Sequence, residues 1–189
     1  MSRAYRIRVS ESLNRTIKAE DSVCADLELL EILPPEQMAA LLREELKGRG
    51  FREKDRELVR ADGDLSTRID PANGTVTVEA KSEKDVALQG EREGLGYEDF
   101  GPGEKSARRQ LSRELQEDLA REAEREQDEL QTAATKRLEG HLADLQKELN
   151  GAVNRVTAEA LKQKAAQIGQ IKEVTEDPQS GSLTIKVEV

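Results

Sequence analysis

The sequence predicts an α+β protein that combines a small antiparallel sheet, built from β-hairpins, with a long helical hairpin or coiled-coil arm. Two observations lead to this fold class. Near both ends of the chain, apolar and polar residues alternate with the period of a half-buried strand, and Asp-Gly and Asn-Gly pairs supply tight turns. Residues 104–168 contain no proline and repeat apolar residues mostly at four-residue steps, which is typical of a helix.

The N-terminal region, residues 1–80, is predicted to be an α+β sheet domain. Tyr5, Ile7 and Val9 alternate with polar residues and indicate a first strand. A helix is expected from Pro35 to about residue 47, because proline is tolerated in the first helical turn and leucines follow at helical spacing. Further strands are expected over residues 13–19, 23–33, 57–60, 65–69 and 75–80, with the last three forming a β-meander.

Two segments are predicted to flank the helix. Residues 81–103 contain several glycines and a proline among charged residues, so we expect a glycine-rich linker or a loop over the sheet. Residues 169–189 are expected to form a C-terminal β-hairpin, because Leu183, Ile185 and Val187 alternate with polar residues. We expect this hairpin to return to the sheet beside the first strand.

The helical arm, residues 104–168, carries the clearest candidate for a binding surface. Its apolar stripe advances nearer to about 3.7 than to about 3.5 residues per turn, which disfavours a strict left-handed coiled coil. A helix of this length needs a partner for its stripe: its own folded-back segment, a second copy or another protein. We expect a bend at Asn150-Gly151, a helix-stopping pair. The candidate partner-binding residues are Leu111, Leu115, Leu119, Leu130, Leu138, Leu142, Leu145 and Leu149.

Composition argues against several function classes. The net charge of -9 and an aromatic content of 2% make binding to nucleic acid or to an anionic membrane surface unfavourable. A single cysteine excludes an intrachain disulfide, and no stretch has the apolar length of a secretory signal or a membrane span. We therefore expect a cytoplasmic protein.

No catalytic constellation is evident, and we expect no cofactor. His141 is the one histidine and lacks a second ligand for zinc. Cys24 falls next to an apolar strand, which favours a buried, inert thiol over a nucleophile.

Two acidic pairs leave an enzymatic alternative open. Asp62 with Asp64, and Glu176 with Asp177, are carboxylates of the kind that Mg²⁺ and Ca²⁺ prefer. Both pairs fall in predicted turns, where aspartate is common for structural reasons, so no metal site is assigned. The alternative is a metal-dependent carboxylate enzyme of unknown substrate that would use Asp62 and Asp64.

Four segments carry a resemblance to a known family: residues 5–12, 29–34, 153–161 and 181–185. They resemble the accessory-domain family encoded beside FtsH-like AAA ATPases in bacterial ternary conflict systems. The final strand is also similar to a small uncharacterised family shared by cyanobacteria and chloroplasts. The first resemblance implies a non-catalytic adaptor or assembly component that works with an AAA ATPase or another co-encoded protein. Self-association into a homo-oligomer stays open.

Overall fold

The computed structural model describes residues 4–97, 103–177 and 182–188. Its fold is α+β, as predicted: a five-stranded antiparallel sheet, a separate two-stranded sheet, one long helix and one short helix. In chain order the elements are β1 (Ala4–Asp26), α1 (Pro35–Gly48), β2 (Arg52–Lys54), β3 (Glu57–Asp62), β4 (Leu65–Asp70), β5 (Thr75–Tyr97), α2 (Glu104–Ile168), β6 (Gln170–Asp177) and β7 (Ser182–Glu188).

The five-stranded sheet has the order β1-β5-β4-β3-β2. Its β3–β4–β5 portion is the predicted meander, with Leu58 opposite Ile69 and Thr67 opposite Val78. Helix α1 is also confirmed, with Leu42 and Leu46 fully buried. Short loops with tight turns join these strands, so local sequence signals were sufficient to predict this part.

Strands β1 and β5 are much longer than the sequence predicts. Each is 23 residues long. Residues 4–26 form one strand rather than several shorter ones, and the strand expected over residues 23–33 ends at residue 26. Residues 81–97 are strand rather than a linker or loop, and residues 98–102 of the predicted linker lie outside the described residues. Side chains pair across the two strands at regular two-residue steps, including Thr16 with Asp85 (2.7 Å) and Lys18 with Glu83 (3.2 Å). This pairing explains why the glycine-rich segment is ordered as a strand.

Helix α2 has the predicted bounds and runs without interruption for 65 residues. The helix-stopping pair Asn150-Gly151 does not interrupt α2, because both residues are helical. On either side of this pair, Leu149 and Ala152 are buried, at 5% and 0% exposure. Burial of these side chains stabilises the continuous helix more than the local preference of Asn-Gly for a turn destabilises it.

The C-terminal hairpin does not join the five-stranded sheet, so the prediction that it returns to the first strand is wrong. Strand β6 pairs with β7 in a two-stranded sheet of its own, with Ile171 opposite Val187 and Val174 opposite Ile185. The alternation in β7 correctly predicts a strand. It does not indicate whether the hairpin adds to another sheet, because that depends on contacts with segments distant in sequence.

The chain divides into two compact units. Unit 1 comprises Met1–Asp21 and Lys81–Lys136, and unit 2 comprises Ser22–Ala80 and Arg137–Val189. Each unit contains part of β1, part of β5 and part of α2. The two portions of the leucine stripe can therefore be described separately.

Candidate functional site

The leucine stripe of α2 is largely covered by the chain itself. Five of its eight leucines are buried, with exposures between 2% and 6%, and the other three are half-buried. Their role as a partner-binding surface stays a prediction, and most of their surface already has contacts. The buried members are Leu115, Leu119, Leu138, Leu145 and Leu149, and the half-buried members are Leu111, Leu130 and Leu142.

In unit 1 the stripe packs closely on the sheet. Leu115 and Leu119 form one buried cluster with Ile7 and Val9 of β1, and Leu111 packs at its edge. Alternate residues of β1 face this cluster, as the period of a strand requires. This part of the stripe is part of the protein's own core.

Glycines of β5 make that close packing geometrically feasible. A Cβ atom at Gly90 would lie 2.8 Å from the Cδ1 of Leu115, and one at Gly94 would lie 2.7 Å from the Cδ1 of Leu111. A Cβ at Gly96 would come within 2.6 Å of atoms of the Tyr5 ring. These even-numbered glycines lie on one face of the strand. From composition alone, the same glycines suggest a linker.

Polar contacts at the margin of the cluster fix the helix on the sheet. Arg92 of β5 donates to Glu114 and to Asp118, each at 2.8 Å. Glu11 of β1 accepts hydrogen bonds from Ser112 and from Gln116. These two hydrogen bonds lower the pKa of Glu11, and the one from Ser112 has the larger effect.

In unit 2 the stripe borders a cleft, although Leu145 and Leu149 are as deeply buried as Leu115 and Leu119 in unit 1. The cleft has a volume of 790 Å³. Its helical wall includes Leu142, Leu145 and Leu149, and its sheet wall includes Val76 and Val78. The remaining lining residues are Val23, Ala25, Asp26, Leu27, Glu28, Gln146, Asn150, Val153 and Asn154.

An ion pair anchors the helical wall of the cleft. Both terminal nitrogens of Arg60 in β3 donate to the Glu148 carboxylate, at 2.7 and 2.8 Å, in the bidentate geometry that favours arginine. Arg60 also lies over the ring of Phe51, with its Cζ 4.4 Å from the centroid. Because Glu148 lies between Leu145 and Leu149 in sequence, the ion pair fixes the rotation of α2 that presents these leucines to the cleft.

A second arginine supports the same turn of α2. Arg49, just beyond α1, donates from Nη1 to the backbone carbonyl of Glu148 at 3.1 Å and from Nε to Glu45 at 2.8 Å. The hydrogen bonds from Arg60, followed by the charges of Arg60 and Arg49, lower the pKa of Glu148 against the opposing effect of its partial burial. The pKa of Arg60 is raised by the same hydrogen bonds.

The family model FtsH ternary system domain X5 matches residues 1–189. The chain belongs to this family. No curated protein and no solved structure matches it. Family membership makes the chain a component of an FtsH-associated ternary system, which agrees with the resemblance stated from the sequence.

The carboxylates proposed as an alternative site in this X5 family member lie in two separate hairpins. Asp62 and Asp64 flank the turn between β3 and β4, and Asp64 accepts a hydrogen bond from Arg137 at 2.6 Å. Glu176 and Asp177 are the last two residues of β6 rather than turn residues. Among the described residues, no group of three or more histidine, cysteine or acidic side chains is arranged to hold a metal ion. The enzymatic alternative stays a prediction.

The remaining two candidates lie on the surface or near it. Cys24 is exposed, so the expectation of a buried thiol is wrong. Even-numbered residues of this part of β1 lie on the solvent face. There the Thr77 hydroxyl donates to the Cys24 sulfur at 3.8 Å. His141 is half-buried on α2, and its charge makes a minor contribution to the lowered pKa of Glu148. Within residues 4–97, 103–177 and 182–188, no helix is long and apolar enough to cross a membrane.

Proposed function

We propose that the chain is a non-catalytic adaptor or assembly component of its FtsH-associated ternary system and binds a protein partner through the cleft of unit 2. Membership of the family supports a role within a multicomponent system. The observation that carries the proposal is the open portion of the leucine stripe. At the cleft Leu142 is half-buried, whereas Leu145 and Leu149 beside it are 3% and 5% exposed, so Leu142 is the stripe leucine that stays accessible there.

The cleft has the chemistry of a site for an apolar protein segment. Nine of its fourteen lining residues are aliphatic and the other five are polar or acidic, a mixture of apolar and polar groups that a recognition groove can use. Asp26 and Glu28 are the charged residues among those that line it. Together with the net charge of -9, they favour a partner segment in which basic residues flank apolar anchors.

The partner is expected among the proteins of the same system, with the AAA ATPase as the first candidate. Calorimetric titration of the full-length chain with the purified ATPase and with each co-encoded component would measure binding directly. Leu142→Glu places a charge at the cleft and should weaken binding at least tenfold, because a charged side chain there loses solvation without gaining a partner.

The matched control is Leu161→Glu. Leu161 also lies on α2, is 39% exposed and is not among the cleft-lining residues. This variant should bind like the unmodified chain. Equal affinity of the Leu142→Glu and unmodified chains for the bound component would contradict the proposed site, and absence of binding to every component would contradict the adaptor role.

A further inference from the structure

The C-terminal hairpin has one apolar and one charged face. Ile171 and Val187 lie opposite each other across the hairpin, as do Val174 and Ile185, and Leu183 extends the same face along β7. On the other face, Lys186 contacts Glu173 at 2.5 Å. Val174 is 41% exposed, so the apolar face is incompletely covered.

Two strands alone make a weak sheet. An isolated two-stranded hairpin is marginally stable in water, whereas additional strands with a shared apolar face give independent stability. In the described part of the chain, β6 and β7 pair only with each other. Each strand therefore has an outer edge at which another strand could add.

The two outer edges differ in their protection against pairing. Strand β6 has a register irregularity between Ile171 and Glu173, and it carries Lys172 at that point. Bulges and edge charges are the devices by which proteins prevent strand addition. Strand β7 pairs regularly over all seven residues, and its charged residues are Lys186 and Glu188. Strand addition is thus favoured at β7.

The sequence of β7 is complementary to itself in one antiparallel register. With Ile185 opposite Ile185 of a second copy, Leu183 lies opposite Val187 and Thr184 lies opposite Lys186. Side chains of like charge never face each other in this register, and all three apolar residues face apolar residues. Such cross-strand pairs stabilise an antiparallel sheet, and like charges directly opposite would destabilise it.

We propose that β7 is the interaction surface for a second copy of this chain, which adds by antiparallel β7–β7 pairing centred on Ile185. The product is a four-stranded sheet in which Leu183, Ile185 and Val187 of both copies lie on one face. In the four-stranded sheet each β7 strand gains a hydrogen-bonded neighbour. The irregular β6 strands lie at the two outer edges. This interaction is separate from the cleft and does not depend on the proposed function.

Cysteine cross-linking tests the register. Opposite residues in an antiparallel pair have Cα atoms roughly 4.5–5.5 Å apart, within the range of roughly 4.4–6.8 Å that a disulfide accepts. In a full-length Cys24→Ser background, Ile185→Cys should give disulfide-linked dimers under mild oxidation. Leu183→Cys should not, because the two copies of that residue are offset by four positions, roughly 14 Å along the strand.

A mixture supplies the matched positive control. Leu183→Cys chains combined with Val187→Cys chains should cross-link, because these positions face each other in the proposed register. The proposal is overturned if Ile185→Cys cross-links no more efficiently than Leu183→Cys alone.

Charge substitutions at Thr184 give an independent readout in the non-covalent dimer. Thr184→Glu places a carboxylate opposite Lys186 of the second copy, and Thr184→Lys places two like charges there. Sedimentation equilibrium should show the dimer tightened roughly two- to thirty-fold by glutamate and loosened by lysine, as expected for two symmetric pairs. A monomer up to tens of micromolar, or equal dimerisation of both variants, would contradict β7 pairing.

Discussion

The two portions of the α2 leucine stripe have different surroundings although their sequence pattern is the same. In unit 1, Leu115 packs over Gly90 and is 6% exposed. In unit 2, Leu142 borders an open cleft whose opposite wall contains Val76 and Val78. Helical periodicity predicts which residues form the stripe, and the facing strand determines whether they pack in a closed core.

This difference has a physical origin in side-chain volume. Where the strand presents glycine, the helix can approach until leucine methyl groups occupy the space of the missing side chain. In unit 2 the strand presents valines, and an apolar cleft is left beside the helix. A single stripe therefore packs against glycines along one portion and borders a cleft along another.

The largest effect is expected from removing a closed stripe residue. Leu115→Ala should destabilise the chain by about 2–5 kcal/mol, because it removes buried methyl groups and leaves a cavity above Gly90. Leu142→Ala should cost about 1 kcal/mol or less, because that side chain is only half-buried. Urea unfolding of both variants measures the difference. Equal losses of unfolding free energy would mean that the two leucines are packed equally well.

A larger side chain at Gly90 tests the packing of the unit 1 leucines from the side of the strand. Gly90→Val should destabilise by about 1–3 kcal/mol, because its Cβ would lie 2.8 Å from Leu115 and 3.5 Å from Leu119. Gln89→Val is the control, since residue 89 is exposed on the opposite face of β5. Thermal unfolding should show a lower melting temperature for Gly90→Val and an unchanged one for Gln89→Val. A stabilised Gly90→Val variant would mean that the helix lies further from the strand.

The Arg60–Glu148 ion pair makes the free energy of unfolding depend on pH. Glu148→Gln should cost about 1–2 kcal/mol near neutral pH, a value reduced for solvent screening because the two side chains are 23% and 28% exposed. The folded-state pKa of Glu148 is lowered, so its contribution is present above the ordinary pKa of 4.5 and is lost as pH falls through the folded-state value.

Denaturant unfolding between pH 7 and pH 3 measures this contribution. The unmodified chain and Glu148→Gln should differ most at pH 7, and the difference should shrink as the pH falls below 4.5. A difference that persists unchanged at pH 3 would assign the effect to packing and not to the charge.

The smallest effect is expected at the site where the sequence suggests a bend. Because Gly151 is helical, Gly151→Ala should stabilise the chain by about 0.5–1 kcal/mol. The new methyl group would make ordinary contacts, 3.6 and 3.7 Å from the Arg49 guanidinium nitrogens. A lowered melting temperature in calorimetry would indicate that residue 151 is not helical in solution.

Much of the fold was predictable because its signals are local. Helix α1, the β3–β4–β5 meander and the bounds of α2 follow from periodicity and turn residues. The single long β1 strand and the strand at residues 81–97 were not predicted, because they depend on pairing between segments far apart in sequence. The turn preference of Asn150-Gly151 is local, and tertiary packing along α2 outweighs it.

The candidate site was predictable only in part. The sequence identified Leu142, Leu145 and Leu149 as stripe residues, but the cleft also needs Val76 and Val78 from a distant strand. Nothing in the helical pattern separates these leucines from Leu115. The distinguishing signal is the composition of the facing strand, with glycines on one face near Leu115 and valines near Leu142.

The central claim, that the open portion of the stripe binds a protein partner, is tested most directly by leucine methyl NMR. Methyl-labelled full-length chain would be titrated with the system component that binds it. We predict that resonances of Leu142, Leu145 and Leu149 shift, whereas those of Leu115 and Leu119 do not. Shifts confined to Leu115 and Leu119, or a complex that leaves every stripe resonance unchanged, would contradict the account.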